Sequence, residues 1–159
     1  INDISAGSID NEMFSLISKY NIPYVVMHMK GKPISMQKQP KYRNVTTEII
    51  DFFHEKINQV KSEGIKNIII DPGFGFGKTV KHNYTILHNL EKFSNLTDNI
   101  LVGISRKSMI GAVTDKAPSD RLHGSLAAET ISIMNKAKII RVHDISETSV
   151  MIKTLEHLI

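Results

Sequence analysis

The densest chemistry in the chain lies at Asp71-Pro72-Gly73-Phe74-Gly75-Phe76-Gly77-Lys78-Thr79. Alternate glycines let a backbone turn sharply and approach a ligand closely. Neither phosphate-binding fingerprint is met. A P-loop needs glycine at 72, which is proline, and the dinucleotide pattern G-x-G-x-x-G fails because the glycines stand at 73, 75 and 77. Phe74 and Phe76 are placed either to stack on a flat ring or, as in an ordinary strand-to-helix turn, to enter the core. Asp71 ends an apolar run. A carboxylate there can accept two parallel N–H bonds from a guanidine-like edge such as a 2-amino-pyrimidinone, or act as an N-cap or salt-bridge partner.

Two further segments suit an anion. Ser105-Arg106-Lys107-Ser108 sets two hydroxyls and two cations at an expected helix N-terminus; a solvated loop is the simpler alternative, above all for Arg106. In Arg141-Val142-His143-Asp144, strand alternation puts Arg141 and His143 on one face and Val142 on the other. A guanidinium fork beside an imidazole suits phosphate. An arginine facing inward from a buried strand needs an anion, and Asp144 or Glu147 could supply it without any ligand. Met27 alternates with Val25 and can line a pocket floor, whereas His28 reads as a hydrogen-bonded strand-end residue. The loop from there to Tyr42 is long and basic, with Lys32, Lys38, Lys41, Arg43, Pro33 and Pro40, and is either a lid or plain surface. No G-x-S-x-G elbow supports a serine triad. His82, His88, His123 and His157 fall on helical segments without metal-ligand pairing and are expected at the surface.

Strands are expected over 23–28, 67–71, 100–104 and 138–143, with a stub at Ile1-Asn2-Asp3. Their apolar residues are continuous rather than alternating, as in parallel strands covered on both sides. Helical stripes fill the gaps: Met13, Leu16, Ile17, Tyr20, with Asp10 as N-cap; Ile49, Phe53, Ile57, Val60, with Gly64 as C-cap; Ile86, Leu90, Phe93; Leu122, Leu126, Ile131, Met134, entered by Pro118 and Ser119; and Met151, Ile152, Leu155, Ile159. Such alternation gives an α/β fold, either a doubly wound sheet or part of a (β/α)8 TIM barrel. Asn2, Asp3, His28, Asp71, Ser105 with Lys107, and Arg141 with His143 all fall at strand C-termini. Contributions from every strand end favour the barrel, since an open sheet binds only near its switch point.

Length and composition fit one domain over 1–159: 159 residues, 41% hydrophobic and 23% charged. The net charge of +4 is spread along the chain. It demands no nucleic acid and suits a small anionic substrate equally well. The absence of cysteine excludes disulfides, thiolate metal sites and a cysteine nucleophile. No apolar run has transmembrane length and no signal-peptide pattern opens the chain, so a soluble cytoplasmic protein without membrane contact is expected. The start at Ile1, without methionine, reads as the tail of a strand whose body lies upstream.

Ile-Asn-Asp-Ile at 1–4, Met-His-Met at 27–29, Asp-Pro-Gly-Phe-Gly-Phe-Gly-Lys at 71–78, Gly-Ile-Ser-Arg-Lys-Ser at 103–108 and Arg-Val-His-Asp at 141–144 together resemble the dihydropteroate synthase family, in order and spacing across the chain. The resemblance implies the second part of a pterin-binding TIM barrel, from the end of strand four to the last helix. It implies condensation of 6-hydroxymethyl-7,8-dihydropterin diphosphate with 4-aminobenzoate, releasing pyrophosphate, in a homodimer that sulfonamides inhibit. Asn2 and Asp71 would hold the pterin edges, and Ile4, Met27, Phe76 and Gly103 would shape its slot. Lys107 would reach the pterin and border the aminobenzoate. Ser108 would bind the aminobenzoate carboxylate. Arg141 and His143, with Val142 between them, would grip the diphosphate, and Arg141 would also stack on the pterin ring. Arg141, His143 and Lys107 are the implied catalytic residues. Mg²⁺ is the implied cofactor, its Asn ligand lying upstream of Ile1. A related pterin-binding methyltransferase barrel and a non-catalytic half-barrel are the alternatives.

Overall fold

The computed structural model describes residues 1–10, 12–31 and 33–158; Lys32 of the basic loop and Ile159 of the last stripe lie outside the described residues. Strands and helices alternate as β1 (Asn2–Asp3), α1 (Met13–Tyr20), β2 (Tyr24–Met27), α2 (Val45–Ser62), β3 (Ile68–Asp71), α3 (Val80–His88), β4 (Leu101–Val102), α4 (Ser108–Thr114), α5 (Leu122–Met134), β5 (Ile139–Ile140) and α6 (Ile145–Leu155). The strands are parallel. β1, β2 and β3 pair in that order, β4 pairs with β5, and an Ile70–Ile100 bridge joins the two sets.

Register fixes which residues share a face. Asp3 pairs with Val26, Tyr24 with Ile68, Val26 with Ile70 and Val102 with Ile140. Successive side chains alternate across a sheet, so these residues face the helices. Tyr24, Val26, Ile68, Ile70, Ile100 and Val102 accordingly join the main apolar core with Ile49, Phe53, Ile57 and Val60 of α2. α2 forms where the sequence places it. Asn44 caps it by accepting the Thr47 N–H at 3.1 Å, and Gly64 ends it with a φ of 82°.

Other helices depart from expectation. Asp10 does not cap α1; it accepts the Glu12 N–H in the preceding turn, and Glu12 holds the cap position without a side-chain bond. α1 buries Phe14 and Ile17, while Leu16 and Tyr20 are exposed. The Phe14 ring meets Tyr24 edge-on at 5.8 Å, which fixes the helix rotation. The Ile86, Leu90, Phe93 stripe is buried but is divided between α3 and a 3₁₀ turn at Leu90–Asn95. Pro118 and Ser119 form their own 3₁₀ turn ahead of α5. α5 inverts its expected face: it buries Ser125, Ala128, Glu129 and Ser132, and leaves Ile131 44% and Met134 57% exposed. Its small residues allow close approach, and the Ser125 hydroxyl accepts the Arg106 N–H at 2.9 Å. α6 buries Thr148 and Leu155, not Ile152.

Candidate active site

The face opposite the helices carries the chemistry. Asn2 pairs with Val25, and Met27 with Asp71. Leu101 pairs with Ile139, and one alternation further along β4 and β5 come Gly103 and Arg141. The Arg141 N–H continues the ladder to the Val102 carbonyl at 2.9 Å. Asn2, Met27, Asp71, Gly103 and Arg141 therefore share one face, each from a different strand or its immediate extension. Ile4 is exposed in the turn after β1, whose shape Asp3 holds by accepting from Ser5, Gly7 and the Tyr24 hydroxyl.

Asp71 is 1% exposed. Its Oδ1 accepts the Gly73 N–H at 2.7 Å, which begins the glycine turn. Burial raises its pKa, opposed by that N–H and by the positive charges of Lys107, Arg141 and Lys78. No cation forms an ion pair with it among the described residues, so the salt-bridge alternative is not realised. Gly73 and Gly77 have φ near 70° and 64°, and a Cβ on either would strike a carbonyl, of His28 or Lys30 respectively.

Lys78 makes this close approach stable, and it was not singled out from sequence. It is 3% exposed, and its Nζ donates to the carbonyls of Gly73 at 2.9 Å, Phe76 at 3.0 Å and His28 at 3.3 Å, with His28 Nδ1 at 3.0 Å. One ammonium thus ties the glycine turn to the end of β2. Burial lowers its pKa to about 7, against the pull of Asp71. Asn83 braces the other side by accepting the Gly75 N–H at 2.8 Å. The sequence signal was a lysine closing a glycine run, visible there only as part of a failed P-loop.

The two phenylalanines divide. Phe74 is fully buried in the core, so it is not available to stack on a ligand. Phe76 is half-buried, with Lys107 Nζ 5.0 Å from its ring centre. Lys107 also donates to the Phe74 carbonyl. Burial lowers its pKa to about 8, Asp71 raising it and Arg141 lowering it further.

Gly103, Ser105, Lys107, Arg141, Val142 and His143 line a cleft of about 120 Å³. Val142 is not turned away from it, because the strand ladder ends with the Arg141 N–H and alternation lapses beyond that residue. Arg141 is exposed rather than buried. Asp144 pairs with Arg106 instead of Arg141. Among the described residues the Arg141 guanidinium has no carboxylate partner, and its tip lies against Gly103. His143 donates its N–H to the Ser105 hydroxyl at 3.3 Å. Ser108 opens α4 and is exposed.

His28 is a buried strand-end residue, as expected, meeting Phe52 edge-on at 4.9 Å. Burial, then the charges of Lys78 and Lys30, lower its pKa from 6.5 to about 3. Between those values the unfolded chain binds a proton that the fold refuses. Stability is therefore full above pH 6.5 and falls as pH drops toward 3. Urea midpoints across that range should show the acid slope, and His28→Gln should reduce it; an unchanged slope would remove His28 as its source. His82 is half-buried, not on the open surface, where it forms a reciprocal cap with Thr79. His88, His123 and His157 are exposed. In the basic loop Lys30 pairs with Glu48 at 2.9 Å and sits 4.0 Å from the Tyr42 ring centre.

Residues 1–143 match the family model described as pterin binding enzyme. The chain is 46% identical over 155 residues to the dihydropteroate synthase of Haemophilus influenzae, covering 96% of this chain and 56% of that protein. It superposes on a Yersinia pestis dihydropteroate synthase crystallised with a sulfonamide drug complex with TM-score 0.96 and 38% identity, over 99% of this chain and 58% of that one. For the Xanthomonas albilineans dihydropteroate synthase in complex with 7,8-dihydropteroate, the values are 0.91 and 32%, over 99% and 58%. The chain thus spans a little over half the length of these relatives. Its α/β fold is part of a (β/α)8 barrel, as its strand ends indicated.

Proposed function

The chain belongs to the pterin-binding enzyme family, and on that footing we propose that it acts in dihydropteroate synthesis, joining 6-hydroxymethyl-7,8-dihydropterin diphosphate to 4-aminobenzoate with release of pyrophosphate. One observation carries the reading. A buried carboxylate at Asp71 and a guanidinium at Arg141, without a carboxylate partner among the described residues, stand on the same face, and Lys107 lines the cleft beside Arg141. That is the charge order of a ligand with a guanidine-like ring edge at one end and a diphosphate at the other.

Asp71 and Asn2 bind the pterin edges, over a floor of Met27 and Gly103 bordered by Ile4 and Phe76. An arylamine is already nucleophilic at neutral pH, so no activated serine or cysteine is required. The barrier lies in pyrophosphate departure. Positive charge grows on the pterin methylene and negative charge on the leaving oxygen, and Arg141 and His143 stabilise the latter beside Val142. Lys107 borders both reactants. Ser108, exposed where α4 opens, meets the aminobenzoate carboxylate with its hydroxyl. Holding the two reactants in line supplies much of the remaining acceleration.

Mg²⁺ favours oxygen ligands, and the cleft presents guanidinium, ammonium and imidazole. These residues do not form a site for it, and no step here runs through the metal. Inhibition by sulfonamides, a homodimer and a cytoplasmic location belong to the same proposal. The first rests on the drug-bound Yersinia pestis relative and the second on the exposed Ile131 and Met134 of α5. No described helix is long and apolar enough to cross a membrane.

Arg141→Ala tests the reading. Loss of one charged partner should weaken binding of the pterin diphosphate by about 10- to 100-fold in calorimetry, and weaken the bare hydroxymethyl pterin less. Equal losses for both ligands would confine Arg141 to the ring. Failure of the full-length polypeptide to release pyrophosphate from the two substrates would overturn the function.

A further inference from the structure

We propose that Arg106 is a positioning residue: its left-handed backbone aims Lys107 into the cleft, and its two-bond fork to Asp144 fastens the lysine loop after β4 to the segment after β5 that carries Arg141 and His143. The proposal rests on the function above and gives a task to a residue which that function leaves aside.

Arg106 has a φ of 55°. Residues with a Cβ rarely adopt that conformation, whereas glycine takes it freely. An arginine there must be held by its surroundings, and each of its polar groups is held. Its N–H donates to the Ser125 hydroxyl of α5 at 2.9 Å. That hydroxyl donates in turn to the Arg121 carbonyl at 2.8 Å. Arg121 closes the ring of contacts, since its Nη1 donates to the Arg106 carbonyl at 2.9 Å. The Arg106 guanidinium donates from Nε to Asp144 Oδ2 at 2.9 Å and from Nη2 to Asp144 Oδ1.

The pair stands behind the cleft and not in its wall. Ser105 and Lys107 flank Arg106, His143 precedes Asp144, and all three flanking residues line the cleft. The left-handed step separates a buried Ser105 from a Lys107 that reaches the Phe74 carbonyl and stands 5.0 Å from the Phe76 ring centre. The Lys107 N–H closes this turn on the Ile104 carbonyl at 3.1 Å. Asp144 holds the N-cap position of α6, where a carboxylate ordinarily accepts from the first N–H groups of the helix. No such side-chain bond forms; both oxygens accept from Arg106 instead. The Asp144 side chain is only 12% exposed, so water competes little for the fork. A planar fork on a carboxylate fixes orientation as well as distance. It is needed here because Lys107 and Arg141 are like charges in one small cleft and repel each other while no anion lies between them.

The test uses the full-length polypeptide as wild type, Arg106→Ala, Arg106→Gly, Asp144→Ala and the Arg106→Ala/Asp144→Ala double variant. Calorimetry reads the affinity for the pterin diphosphate. Amide hydrogen exchange is read at Lys107 and, as an internal control, at Arg141, whose N–H bonds Val102 in the strand ladder. Arg106→Ala and Asp144→Ala should each raise the Kd by about tenfold and speed exchange at Lys107 by about tenfold with Arg141 unchanged. The double variant should match the single ones, because the same fork is removed only once. Arg106→Gly relieves the backbone and should unfold at higher urea than Arg106→Ala, yet bind the pterin diphosphate no more tightly. That contrast separates positioning from stability, and wild-type affinity in Arg106→Gly overturns the proposal. Unchanged affinity in both single variants also overturns it, as do losses that multiply in the double variant and equal acceleration at Lys107 and Arg141. Where Arg106→Ala does not fold, Arg106→Gly and Asp144→Ala carry the test. Absence of pterin diphosphate binding by wild type overturns the proposed function, while exchange at Lys107 still reports on the Arg106–Asp144 fork by itself.

Discussion

Asp71→Asn should weaken binding of a 2-amino-4-oxopteridine ligand by about 2–4 kcal/mol, roughly 30- to 1000-fold. The carboxylate is almost wholly buried, and one oxygen is committed to the Gly73 N–H. The remaining acceptor capacity faces the side of the sheet shared with Met27 and Arg141. A ring that offers two adjacent N–H groups needs two acceptors in a plane. An asparagine replaces one of them with a donor, which opposes the ligand's own donor, and the ligand cannot recruit water at a buried position. The fold should tolerate the change. Asparagine keeps an oxygen for Gly73 and removes a charge that burial disfavours, although Lys78, Lys107 and Arg141 lose a counter-charge. The thermal midpoint should therefore move little while affinity collapses. Titration calorimetry on the full-length polypeptide decides it, and unchanged pterin affinity would remove Asp71 from the site.

Gly73→Ala should produce the largest loss of stability, about 3–5 kcal/mol. The left-handed φ costs a non-glycine residue about 1–2 kcal/mol, and the remainder comes from driving a methyl group into the His28 carbonyl. That carbonyl is one of three held by the Lys78 ammonium. Relief of the clash must separate the glycine turn from β2 and break the contacts of a buried cation. Gly75→Ala is the control. Its φ is equally positive, but a Cβ there meets only the flexible Lys107 side chain at 3.6 Å, so the loss should be no more than about 1–2 kcal/mol. Urea unfolding of both variants checks the contrast. Similar losses would mean that close packing against β2 contributes nothing beyond backbone conformation.

What was legible in the sequence follows from how local each determinant is. Strand positions and the α2 stripe were readable because continuous β-branched runs and a full amphipathic period are local signals. The site face was readable because alternation connects Arg141 to the end of its strand, and because Asp71 is a lone carboxylate closing an apolar run. Four features were not readable. The Asp144–Arg106 pair joins residues 38 apart in sequence, so Asp144 looked like the natural partner of its near neighbour Arg141. The rotation of α1 is set by Phe14 against Tyr24 on another element, which no stripe within the helix reveals. In α5 the buried face is chosen for small size and for one carboxyl, so hydropathy pointed the wrong way. Lys78 was hidden for a related reason: its partners are backbone carbonyls, which any sequence possesses.

The strict alternation of faces also bears on how the chain avoids folding wrongly. In β3, Ile70 belongs to the helix layer and Asp71 to the opposite side; Val102 and Gly103, and Ile140 and Arg141, divide in the same way. A slip of one residue exchanges the members of each pair. It would press a carboxylate and a guanidinium into the apolar layer and turn isoleucines toward the site face. A uniformly aliphatic strand would suffer no such penalty and could settle in several alignments. The polar residues that meet a ligand thereby also make each wrong alignment costly before any ligand is present. Replacing them all with well-packed aliphatic residues would remove binding and, with it, part of what makes the native alignment unique.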